Sequence, residues 1–268
     1  MDKYNNMSFD DFPLYYEIKG TKGPYILMLH GILSSRVQWQ ANIDAISVFG
    51  QPVVVELFGH GRSPTPDNAA FYKPEAYCSE FERIRKEIGA DKWFVVGNSL
   101  GGALTLRYSL TYPERVIAQA FTNSSSALAD QNMSKKMQWL ADKVGKDGIR
   151  AFKTLPLNPA NSKMLPPDIK TALLEDLKLI TDRGLAYTVL YTAMNSSVRE
   201  IISENKVPTL LVAGIRETRF LTLRDYAEQH MPFLKIVNLD GGHGVNITAA
   251  ESFNQALLEF FLTNFQQD

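Results

Sequence analysis

The segment Val95-Val96-Gly97-Asn98-Ser99-Leu100-Gly101-Gly102 decides how this sequence of 268 residues folds. It begins with the apolar residues of a buried strand and continues without a break into a segment that has the period of a helix. Glycine stands two residues before and two residues after the serine, which is typical of a sharp turn from strand to helix. The segment therefore predicts a strand followed by a helix, the repeating unit of an α/β sheet.

Working outward, seven short apolar runs alternate with longer segments of helical period. This alternation predicts a mainly parallel sheet with helices on both of its faces. Gly20 and Gly23 separate the first two runs, which we expect to form an antiparallel edge of the sheet. The runs are Leu14 to Lys19, Tyr25 to Leu29, Pro52 to Val55, Trp93 to Val96, Val116 to Phe121, Thr209 to Ala213 and Leu234 to Leu239.

Residues 124–206 break this alternation and contain no convincing strand. We interpret them as a helical cap inserted into one core domain, which residues 1–123 and 207–268 form together. Such a block either covers a binding site or adds packing without any role in substrate binding. Two predicted helices present apolar faces, one with Met137, Leu140, Ala141 and Val144 and the other with Ile169, Leu173, Leu177 and Ile180.

Composition excludes several classes of protein. Lys and Arg together number 28 and Asp and Glu 29, so the chain lacks the basic excess that binds nucleic acid or anionic membranes. Cys78 is the single cysteine, which excludes an internal disulfide and favours a reducing compartment. The first residues, MDKYNNMSFDDF, have neither a basic start nor an apolar run, so we expect no leader segment. No stretch of the sequence reaches roughly 18 continuous apolar residues. We expect a cytoplasmic protein with a small-molecule partner, and its oligomeric state stays open.

Ser99 is the candidate nucleophile, because the strand-to-helix turn exposes its hydroxyl and places the Leu100 amide where it can stabilise an oxyanion. A serine hydroxyl needs a base, and imidazole accepts a proton near neutral pH. Of the four histidines, His243 follows the last strand run on a glycine-rich loop. Turns and a helix account better for the others, which are His30, His60 and His230.

A carboxylate that orients the imidazole is expected after a late strand. Glu217 follows the run that ends at Ala213, and we choose it as the acid. The loop after Phe121 is the other usual place for the acid, but it offers no carboxylate before Asp130. The alternative is that Glu217 is merely a solvated surface charge. A second oxyanion donor is expected from the Ile32 amide, in the turn that follows the second run.

Five motifs, taken in order, resemble those of the α/β-hydrolase superfamily over Leu14 to Phe261. The resemblance implies an eight-stranded sheet, a helical cap, a triad of Ser99, Glu217 and His243, and an oxyanion hole formed by the amides of Ile32 and Leu100. This sequence departs from the usual pattern at Glu217 and at Glu56, where the superfamily commonly has Asp. The motifs are HGILSS (30–35), ELFGHGRS (56–63), GNSLGG (97–102), VAGIRET (212–218) and GGHG (241–244).

These residues predict a serine hydrolase that cleaves a small carboxylic ester or lactone through an acyl-enzyme, without metal or cofactor. The same residues fit a thioesterase or an acyltransferase. Asn98 resembles the elbow of hydrolases that cleave carbon-carbon bonds, although HGILSS lacks the glycine-rich oxyanion segment of that subclass. A ligand sensor that retains the hydrolase fold is the alternative outside enzymes, because fold alone does not fix function.

Overall fold

The computed structural model describes residues 11–265, without the side chains of residues 131–137. Residues 1–10 therefore lie outside the described residues, and with them the expectation of no leader segment. The side chain of Met137 lies outside them as well. Seven strands form one sheet in the spatial order β1-β3-β2-β4-β5-β6-β7, and every neighbouring pair is parallel except β1 with β3. The strands are β1 (Tyr16–Ile18), β2 (Tyr25–Leu29), β3 (Gln51–Val55), β4 (Trp93–Asn98), β5 (Val116–Thr122), β6 (Thr209–Gly214) and β7 (Leu234–Leu239).

The mainly parallel α/β sheet is confirmed, but the expected number of eight strands is wrong for the described residues. Each of the seven apolar runs forms one strand, and the described chain holds no eighth run from which another strand could form. The edge pairing also differs from expectation: β1 is an antiparallel edge strand, yet it lies beside β3, with Tyr16 opposite Val55. The turn through Gly20 and Gly23 passes against the backbone just before β3, so the chain crosses β3 before it enters β2.

Helices cover both faces of the sheet because the strand side chains alternate in direction. Leu27 and Leu29 pack toward α2 and α3, whereas Ile26 and Met28 pack toward α1 and α9 on the opposite face. The α-helices of the described residues are α1 (Ile43–Ser47), α2 (Pro74–Glu87), α3 (Leu100–Thr111), α4 (Gln131–Asp147), α5 (Pro167–Asp176), α6 (Asp182–Tyr187), α7 (Thr218–His230), α8 (Val245–Thr248) and α9 (Ala250–Phe265). None of them is long and apolar enough to cross a membrane.

The order of the strands determines where a site can form. From β2 the chain moves to one side of the sheet to form β3, and from β4 it moves to the other side. The neighbouring strands β2 and β4 therefore flank a topological switch point, and the crevice beyond their carboxyl ends is where ligands bind in open α/β sheets. Both the turn at Gly31 and the elbow at Ser99 lie at this crevice.

The insertion, residues 124–206 between β5 and β6, has helices as its only regular elements, and no strand lies among its described residues. It packs on two segments of the chain that follow strands of the sheet. Leu33, which follows β2, is buried among Ala141, Val144 and other apolar residues of the insertion. Ile169 and Leu173 of α5 are buried against Val37 and Ile247, which belong to the loop regions after β2 and after β7.

Candidate active site

Ser99 joins β4 to α3 in a backbone conformation that L residues rarely adopt, with φ 53° and ψ −116°. Its neighbours hold this strained turn. The Ser99 amide donates to the Thr122 carbonyl at 3.4 Å, and the Ser99 carbonyl accepts from the Ala103 amide at 3.1 Å and from the Ser124 hydroxyl at 2.6 Å. Strain that is held in place by its surroundings is common at functional sites.

Close packing explains the glycines around this serine. A Cβ on Gly97 would overlap the Gly101 backbone, and a Cβ on Gly101 would overlap the Leu29 carbonyl. A Cβ on Gly31 would stand 3.1 Å from the Ser99 Cβ, so the turn after β2 passes directly beside the serine. Ile32 and Leu100, whose amides are the predicted oxyanion donors, directly follow Gly31 and Ser99 in these two neighbouring turns. Their function in an oxyanion hole stays a prediction.

His243 and Glu217 meet across the loops that follow β7 and β6. The imidazole Nδ1 lies 2.9 Å from Glu217 Oε2 and 3.0 Å from Oε1. With the proton on Nδ1, the ring donates to the carboxylate and leaves Nε2 as an acceptor. Both side chains are partly buried, with exposed fractions of 33% and 22%. The alternative that Glu217 is a free surface charge does not fit this contact.

Two asparagines at strand ends contact these groups, and their roles were not evident from the sequence. Asn123 is fully buried after β5, and its amide donates to Glu217 Oε2 at 2.7 Å while its oxygen accepts from the Gly214 amide at 2.9 Å. Asn98 donates to the His243 carbonyl at 3.1 Å. The sequence signal for these roles was a polar residue at the buried end of a parallel strand, because a buried side-chain amide needs hydrogen-bond partners.

A buried amide network joins the loop after β2 to the histidine loop. The side chain of Gln38 donates to Asn246 Oδ1 at 2.9 Å, and Asn246 donates to the Gln38 carbonyl at 2.7 Å and to Asn42 Oδ1 at 3.0 Å. Asn246 follows His243 by three residues and is fully buried. The network therefore fixes the distance between the two loops, and the chain region of His243 is not free to move alone.

His30 and His60 are structural residues, in agreement with their interpretation as loop anchors. His30 Nε2 accepts from the Leu57 amide at 3.0 Å, and His60 Nε2 accepts from the Leu33 amide at 3.4 Å. Burial lowers the pKa of His30 to about 3, with a further contribution from His60, and lowers the pKa of His60 to about 4. Both rings are therefore neutral at neutral pH.

A cavity of about 430 Å³ opens between the core domain and the insertion. Asn98, Glu217 and His243 line it together with apolar and polar residues of both parts of the chain. The sulfur of Met164, from the insertion, lies over Gly242 next to the histidine. Other lining residues include Ile32, Ser34, Gln38, Leu157, Leu165, Leu173 and Ile247.

The described residues contain no group of three or more His, Cys, Asp or Glu side chains that could hold a metal ion.

Comparisons with known proteins agree with this architecture. Residues 24–154 match the family model described as the alpha/beta hydrolase fold. The chain is 25% identical to the putative 2-succinyl-6-hydroxy-2,4-cyclohexadiene-1-carboxylate synthase of Bacillus subtilis, over 88% of this chain and 89% of that protein. It is also 25% identical to the putative carbamate hydrolase RutD of Serratia proteamaculans, over 93% of this chain and 96% of that protein.

Among solved structures, the enol-lactonase of Burkholderia xenovorans superposes with a TM-score of 0.77 at 19% identity, covering 93% of this chain and 96% of that one. An identity this low shows that the two proteins share a fold, and no more.

Proposed function

We propose that this chain, a hydrolytic enzyme that belongs to the α/β-hydrolase fold superfamily, is a serine hydrolase. Its proposed substrate is a small carboxylic ester or lactone. The contact between His243 Nδ1 and Glu217 at 2.9 Å carries the proposal. It fixes the tautomer in which Nε2 is free to accept the serine proton. Three chain segments that are far apart in sequence supply the nucleophile, the base and the acid that this reaction needs.

In the first step, Ser99 Oγ attacks the substrate carbonyl carbon while His243 Nε2 takes the hydroxyl proton. The carbonyl oxygen becomes an oxyanion, to which the amides of Ile32 and Leu100 donate. The ester bond then breaks, and the imidazolium gives its proton to the leaving alkoxide. Glu217 stabilises the imidazolium charge in this step. Water activated by His243 attacks the acyl-enzyme, and the acid leaves with Ser99 restored.

Residues 124–206 act in this proposal as the cap of the site. Met164, Leu165 and Leu173 supply an apolar wall of the cavity, while Ser34 and Gln38 of the core domain supply polar groups. A cavity of about 430 Å³ suits a small molecule. Lactones are included among the substrates because a lactone is a cyclic ester, which the same acyl-enzyme chemistry opens.

The nucleophile is tested with a fluorophosphonate probe, which reacts with activated serine hydroxyls. The native protein should be labelled at Ser99, because a serine hydroxyl served by a base and by the two proposed amide donors is unusually nucleophilic. Ser99→Ala should lose the label and the hydrolysis of p-nitrophenyl esters and lactones. Ser109→Ala, a change on the same helix at a buried hydroxyl with no hydrogen-bond partner among the described residues, should keep both. Undiminished labelling of folded Ser99→Ala would refute the assignment.

A further inference from the structure

The charges around the cavity are unequal. Three cationic side chains line it, Lys163 from the insertion and Arg216 and Arg219 from the segment after β6, against the single carboxylate of Glu217. The chain as a whole has a formal charge of −1, so this excess does not follow from a basic composition. It is a local property of the cavity.

Two of the three cations are free to bind a ligand. Arg216 pairs with Asp240, at 2.6 Å between Nη2 and Oδ2, and Glu217 is engaged with His243 and Asn123. Lys163 and Arg219 are exposed, and neither has a hydrogen-bond or ion-pair partner among the side chains and backbone groups that the structure describes. Elsewhere on α7 the cations are paired, as Arg224 is with Asp225.

The start of α7 adds to the positive potential. This helix of 13 residues begins at Thr218, which lines the cavity, and its N-cap residue Glu217 makes no side-chain cap hydrogen bond. The carboxylate that would otherwise cap the helix is held by the imidazole instead. Within this first turn the Phe220 amide donates to the Glu217 carbonyl at 2.9 Å. No side-chain carboxylate caps the start of the helix, and a helix N-terminus favours negative charge.

We propose that the cavity binds substrates that carry a free carboxylate in addition to the scissile ester or lactone. This inference rests on the proposed hydrolase function and names its substrate class. The guanidinium of Arg219 can bind the carboxylate in bidentate fashion, and the Lys163 ammonium closes on it from the cap. The two free cations carry two positive charges and the Glu217 carboxylate carries one negative charge, so one further negative charge on the substrate would balance the cavity. The reaction then releases a dicarboxylate from an ester, or a hydroxy-dicarboxylate from a lactone.

The test compares two esters of equal length, the mono-4-nitrophenyl ester of adipic acid and the 4-nitrophenyl ester of adipic acid monoamide. We expect kcat/KM to favour the carboxylate by about 10-fold, an advantage that decreases with added salt. Arg219→Gln and Lys163→Gln should each reduce the preference roughly 2- to 5-fold, as partly exposed charge pairs do. The matched control Arg224→Gln removes a charge from the same helix outside the cavity and should leave the preference unchanged.

Binding to Ser99→Ala protein separates this inference from the proposed function. Calorimetry with monomethyl adipate and methyl adipamate needs no turnover, and the carboxylate should again bind about 10-fold tighter, with this advantage reduced roughly 2- to 5-fold when Arg219→Gln is added. A charge preference in binding without any ester turnover would support the subsite and contradict the hydrolase proposal. Turnover of both esters at equal kcat/KM, or equal binding of both ligands, would overturn the subsite and leave the hydrolase proposal standing.

Discussion

At the scale of single residues, the proposed acid depends on a partner that carries no charge. Glu217 has one methylene more than the aspartate that the superfamily commonly places there. Asn123 takes up the Oε2 atom of this longer side chain at 2.7 Å and anchors itself on the Gly214 backbone, so the carboxylate stays in contact with the imidazole. The loop after β5 carries no carboxylate before Asp130, and its Asn123 side chain instead supports the proposed acid in the loop after β6.

Removing the charge of Glu217 while keeping its shape tests this arrangement. Glu217→Gln should fold normally and lose on the order of 10² to 10⁴ in kcat, because the imidazole loses the carboxylate that sets its tautomer and stabilises its charged form. Steady-state kinetics on a p-nitrophenyl ester measures the effect. Asp225→Asn, on the neighbouring helix, and Asp130→Asn are the controls and should be nearly neutral. Nearly full activity in Glu217→Gln together with a collapse in either control would show that another acid serves His243.

At the scale of elements, the sequence predicted what local periodicity determines. The seven apolar runs became the seven strands, and the alternation of strand and helix gave the correct sheet class. Which strands are neighbours depends on contacts between distant segments, so the position of β3 between β1 and β2 had no local signal. Local spacing is also an incomplete guide to hydrogen bonds. Thr248 lies three residues before Glu251, which is the spacing of a helix-capping residue. Its hydroxyl instead accepts from the Gly242 amide and donates to the Gly244 carbonyl.

The insertion allows a test of the cap. Met164 lines the cavity and is partly exposed, so Met164→Ala should change substrate preference without unfolding the protein. Losing its apolar contact should lower kcat/KM for long-chain p-nitrophenyl esters roughly 3- to 10-fold and barely affect the acetate. Leu179→Ala removes an exposed side chain of the same insertion away from the cavity and serves as the control. An unchanged ranking of esters in Met164→Ala would favour packing alone as the role of residues 124–206.

At the scale of the whole molecule, the predicted base and acid meet because parallel strands end at one edge of the sheet. Together with the glycine pattern of the strand-to-helix turn at Ser99, that rule led to the choice of Ser99, Glu217 and His243 from the sequence, since each follows a different predicted strand. The rule does not predict the polar groups that set the distances between the loops of these residues. Gln38 and Asn246 are 208 residues apart in sequence, and only the folded chain shows that their amides bond to each other.

Two buried imidazoles link the stability of the whole fold to pH. The rings of His30 and His60 lie 5.4 Å apart, and both have pKa values lowered by burial, to about 3 and about 4. In the unfolded chain a histidine has a pKa of about 6.5. Below about pH 6.5 the unfolded state therefore binds protons that the native state does not, and the free energy of unfolding decreases as the pH falls. Above that pH both states hold neutral rings, and these two residues cause no pH dependence.

Urea unfolding between about pH 7 and about pH 5 should show a loss of stability on the order of 3 kcal/mol, because each histidine contributes at most about 1.4 kcal/mol per pH unit. Carboxylates with lowered pKa values, such as Glu82, add their effect at lower pH, so this window isolates the imidazoles. His60→Asn keeps a donor and an acceptor but cannot take up a proton, and it should reduce the loss to roughly half, with the remainder due to His30. If the variant and the native protein lose the same stability over this range, the His60 ring does not cause the pH dependence. If neither protein loses stability between about pH 7 and about pH 5, then neither imidazole has a lowered pKa in the folded state.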